Sequence, residues 1–156
     1  MAAAKKLNTA YLEQQAETVR ESLGGATKSE ELFKLAAEAG YLTALADGAE
    51  DAAEREALVE ALETLSKGIV IEWETEGFLG EAWQRISAEG VDGRCAKVGA
   101  RMKELGNAEA GLLIGAIVAY ASNGIDKTEA QILEKIGAGA GLARSAVAAI
   151  VKKARG

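Results

Sequence analysis

An all-α fold, a single bundle of seven to eight helices, is what this sequence predicts, and three observations carry the prediction. The 156 residues contain no proline and are rich in alanine and glutamate, so helices can run without breakers. Apolar residues recur at helical spacing along the chain, and only one short run is β-prone. A phrase joining an apolar helix to an amphipathic one occurs twice, which marks an internal helix–loop–helix pseudo-repeat. The first copy is Ala46-Asp47-Gly48-Ala49-Glu50-Asp51-Ala52-Ala53-Glu54, and seventy-five residues later comes Ala121-Ser122-Asn123-Gly124-Ile125-Asp126-Lys127-Thr128-Glu129. Aligned without a gap over 41–61 and 116–136, the copies share Ala44 with Ala119, Asp51 with Asp126, Glu54 with Glu129 and Leu58 with Leu133. The repeat units are about 30–66 and 107–136, inside one domain spanning 1–156.

The first helix is expected from Asn8 or Thr9 to Leu23, with Leu12, Ala16, Val19 and Leu23 on one face and Gly24-Gly25 as its stop. The second opens at Ser29 and carries Leu32, Phe33, Ala36, Ala39 and Leu42 to the first loop, and Gly40 inside it admits a close neighbour. The third covers about 52–66, with Leu58, Leu62 and Leu65 inward. The β-prone stretch Ile69-Val70-Ile71-Glu72-Trp73 has no second strand to pair with, so it reads as a connection. A fourth helix at about 74–89 packs Phe78, Trp83 and Ile86, and a fifth runs from about Asp92 to Leu105 before Gly106. The sixth is capped by Asn107 and holds the apolar run 110–121, too short for a membrane span and therefore a central buried helix. Its Gly111 and Gly115, four apart, again admit a close neighbour. The seventh ends at Gly137, and the stretch from Gly137 to Gly141 is a flexible connection to an eighth at about 142–154. That glycine-rich stretch lacks the strand before it and the Lys-Ser/Thr after it that a phosphate loop needs.

Composition narrows the chemistry. Hydrophobic residues make up 49% of the chain, which excludes disorder, while few aromatics leave a core of Ala, Leu, Ile and Val. With Cys95 as the only cysteine and no histidine, there is no intrachain disulfide, no cysteine-based zinc site, and no Ser–His or Cys–His pair. The N-terminus lacks an apolar secretory segment, so the expected location is cytoplasmic. Residues 1–90 hold 8 basic and 18 acidic side chains, and residues 91–156 hold 10 and 6. The acidic balance argues against nucleic acid and for cations or basic partners. Lys152, Lys153 and Arg155 near the C-terminus complement the last helix dipole.

Capping is the first account of the repeated loops. Asp51 and Asp126 stand where N-caps belong, Glu54 and Glu129 three residues later complete capping boxes, and Ile125 serves as a hydrophobic staple. Capping leaves Asp47 and Glu50 without a role, although they crowd Asp51 and Glu54 within eight residues. A hard divalent cation such as Ca²⁺, Mg²⁺ or Mn²⁺ would relieve that repulsion. The loop is not an EF-hand, because Ala49 and Leu58 fall where carboxylates are required. The candidate metal ligands are thus Asp47, Glu50, Asp51 and Glu54, with Asp126 and Glu129 if the two loops face each other.

At these residues the chain resembles the TerB-like family of tellurite-resistance and stress-response proteins. Loops of the form Ala-Asp-Gly, then any five residues, then Glu are that family's signature. The copy at 46–54 fits it, while the copy at 121–129 keeps the Glu but replaces the Asp with Ser122 and shifts the Gly. The resemblance covers roughly 30–155. It implies a small helical bundle, an acidic metal-binding face through Asp47, Glu54 and Glu129, and assembly with other resistance or membrane-associated proteins. The expected function is a non-enzymatic, divalent-cation-responsive binding or adaptor protein in bacterial stress. The alternative is a structural protein–protein interaction module with no metal site. A carboxylate-dependent metalloenzyme is weaker, because nothing beyond the loop acids announces an organised pocket. Protein partners are expected, homo-oligomerisation stays open, and neither nucleic-acid binding nor direct membrane insertion is expected.

Overall fold

The computed structural model describes residues 9–23, 29–46, 52–67, 69–70, 73–123 and 125–155. Within them lie eight helices and no strand. They are α1 (Thr9–Leu23), α2 (Ser29–Ala44), α3 (Ala52–Leu65), α4 (Thr75–Glu89), α5 (Val91–Glu104), α6 (Ala108–Asn123), α7 (Lys127–Gly139) and α8 (Arg144–Arg155).

The centre of the bundle is the pair α2 and α6. Every residue from Gly111 to Ala119 is buried, and α2 is buried from Ala36 to Thr43, which is the signature of helices surrounded by others. Small residues set their spacing. A Cβ at Gly40 would lie 2.6 Å from Val118 Cγ1 and 3.2 Å from the Gly115 carbonyl oxygen. One at Gly115 would lie 3.0 Å from Ala39 Cβ and 3.2 Å from the Ala36 carbonyl oxygen, and one at Gly111 would meet Leu32 at 3.0 Å. Contacts therefore advance in the same direction along both helices, from Leu32 with Gly111 to Gly40 with Val118. The two helices are parallel, and their C-terminal ends lie at the same end of the bundle.

The remaining helices pack around this pair in matching sets. Helix α1 contacts α3 and α6, as α5 contacts α7 and α2; α3 contacts α6, as α7 contacts α2; and α4 contacts α2 and α3, as α8 contacts α6 and α7. Adding four to each helix number turns one set into the other, with α6 plus four returning to α2. Gly40 and Gly115, seventy-five residues apart like the two loops, face each other across the centre. The packing is that of two four-helix halves about a pseudo-twofold axis running along α2 and α6.

The inward positions of α1 and α3 are buried as their spacing requires. The Ile69–Trp73 stretch is a connection where it is described: the Ile69 and Val70 amides donate to the Ser66 carbonyl, and Trp73 packs edge-on against Phe33 at 5.9 Å. Residues 71 and 72 lie outside the described residues. Two expectations need correction. Trp83 does not pack inward; it is 51% exposed, because the stripe α4 buries is Thr75, Leu79, Ala82 and Ile86, and Trp83 falls one position off it. Nor does α7 end at Gly137. It continues to Gly139, because the two glycines are contact points: a Cβ at Gly137 would lie 2.5 Å from Val147 Cγ2, and one at Gly139 2.9 Å from the Ala96 carbonyl oxygen. The turn proper comes at Gly141, whose φ of +78° suits glycine.

Candidate functional site

Helix α2 ends at Ala44 and α6 at Asn123, so the chain leaves both central helices at one end of the bundle. The first loop's Asp47, Glu50 and Asp51 lie outside the described residues. Glu54 is half-buried in the first turn of α3.

The second loop is described from Ile125 onward and forms a capping box. The Asp126 Oδ1 accepts from the Glu129 amide at 2.9 Å, and Glu129 Oε1 accepts from the Asp126 amide at 3.2 Å. Ile125 is buried as a staple, and Arg155 Nη2 at the end of α8 donates to its carbonyl at 2.5 Å. Glu129 is 4% exposed and Asp126 is exposed. Ser122, where the first copy has Asp47, turns its hydroxyl back to the Ala119 carbonyl at 3.1 Å. The structure thus brings Asp126 and Glu129 together in a capping box that engages one oxygen of each carboxylate. Among the described residues, no three Asp, Glu or Cys side chains converge tightly enough to hold an ion.

A polar cluster that sequence reasoning missed lies on the opposite flank of α2. Glu38, 3% exposed, accepts from Arg94 Nε at 2.7 Å and Nη2 at 2.8 Å, and from Arg85 Nη2 at 3.2 Å. The bidentate bond to Glu38 raises the Arg94 pKa above its ordinary value, against the opposing effect of burial. One turn-pair away, Arg101 donates to Glu31 through Nε at 2.6 Å and Nη2 at 3.0 Å. Glu31 and Glu38 on α2, and Arg94 and Arg101 on α5, are each seven residues apart, and that matched heptad was the available signal. These pairs lock α5 antiparallel onto α2. Asn107, expected only as a cap, also ties α6 to α1 by donating to the Ser22 carbonyl at 3.3 Å.

Cys95 is buried, and burial, assisted by the charge of Asp92, pushes its thiol up to about 11. At neutral pH it is a packing residue rather than a nucleophile. A groove of about 450 Å³ opens where the end of α1 meets α6 and α8, with Ala110, Leu113, Ala149 and Ile150 among its walls and Lys153 at its rim. No helix among the described residues is long and apolar enough to cross a membrane.

Fold and surface together define an all-α bundle built on a pseudo-twofold helix pair. No family model matches the chain, and neither a curated protein nor a solved structure matches it, so the TerB-like resemblance rests on the loop motif.

Proposed function

We propose that the protein is a non-enzymatic binding or adaptor protein of the TerB-like, stress-response kind. Its working end is the end of the bundle where α2 and α6 terminate. The observation that supports this is the parallel α2/α6 pair, which puts the ends of the two helices that precede the repeated motifs at the same end of the bundle. The two loops have different jobs. The second is a capped helix start, with Asp126 and Glu129 bonded to each other's backbone amides. The first carries two carboxylates, Asp47 and Glu50, beyond what capping uses, and is where a hard divalent cation would bind, with Asp51 and Glu54 completing the donor set. The capping box favours a second reading, an interaction module with no metal, in which the first loop is simply another capped start.

Calorimetric titration with Ca²⁺, Mg²⁺ and Mn²⁺, joined to melts of the parent and Asp47→Asn, separates the two. The cation reading expects the parent to melt higher in a millimolar divalent ion, and Asp47→Asn to lose that gain with its ion-free melting unchanged. No heat and no shift for the parent with any of the three ions leaves the metal-free module. Equal gains for both proteins would remove the ion from this loop.

A further inference from the structure

We draw no further inference here: the strongest candidate, the groove of about 450 Å³ between the end of α1, α6 and α8, with Lys153 and Glu109 together in its lining, carries none because nothing in the structure shows what covers it.

Discussion

Replacing Gly99 by alanine, with Gly80→Ala as its counterpart, tests the packing of this bundle directly. Both glycines lie inside helices, so alanine brings the same propensity gain to each, about 1 kcal/mol. They differ in what the new methyl group meets. At Gly99 the Cβ would lie 2.2 Å from the Ile136 carbonyl oxygen, 2.8 Å from the Ala140 amide nitrogen and 2.9 Å from the Gly139 carbonyl carbon. All three are backbone atoms of α7 and its end, and no rotamer change can move them aside. To recover ordinary contact α5 and α7 must separate by about 1 Å, which breaks packing along the whole helix pair. Overpacking of this kind costs about 3 kcal/mol where backbone must give way. Less the propensity gain, Gly99→Ala is expected to lose about 2 kcal/mol, a fall in Tm of about 4–8 °C for a chain of this length. At Gly80 nothing lies within 4 Å, so the propensity gain stands alone. That variant should melt about 2–4 °C above the parent. Thermal and urea unfolding followed by far-UV circular dichroism, in dilute solution, measures both. If the two variants shift in the same direction, the close α5/α7 approach is not where the structure puts it.

Glu38→Ala should destabilise by about 3 kcal/mol, because it leaves the mostly buried Arg94 with only its longer 3.4 Å contact to Glu89, and adding Arg94→Ala should recover part of the loss in urea melts. Asp126→Ala removes the side-chain acceptor of the capping box and should lower stability by about 1 kcal/mol without added ion; an unchanged melt would contradict the cap. The Cys95 thiol, raised by burial to about 11, keeps its proton in the folded chain after the unfolded chain has lost it, so stability should fall as pH rises from about 9 through 11. Tyr11 is raised in the same direction, by burial first and by Tyr120 second, so Cys95→Ala should reduce the slope of that alkaline decline without abolishing it. Reaction of Cys95 with an aromatic disulfide reagent at neutral pH should be slow in native buffer and fast in urea.

The sequence was most legible where the interactions are local. Helix starts at Ser29, after Asp126 and near Asn107, the stop at Gly106, and the inward faces of α1 and α3 all depend on residues within a turn of one another. The capping box at Asp126 and Glu129 could be read from spacing because its donors and acceptors are three residues apart. Which helix faces which is a different kind of fact. That Gly40 and Gly115 meet, that Gly99 lies against the end of α7, and that Gly137 and Gly139 stay helical are decided by partners remote in sequence. A glycine in a sequence has the same meaning for a turn as for a crossing until its neighbour is known. Glu38 and Trp83 make the same point from either side. The acid is buried because two arginines from α4 and α5 reach it, and the tryptophan is exposed because α4 turned Leu79, Ala82 and Ile86 inward instead. Local chemistry determined where helices begin and end; the tertiary packing alone decided their pairing, and with it that α2 and α6 finish at the same end of the bundle.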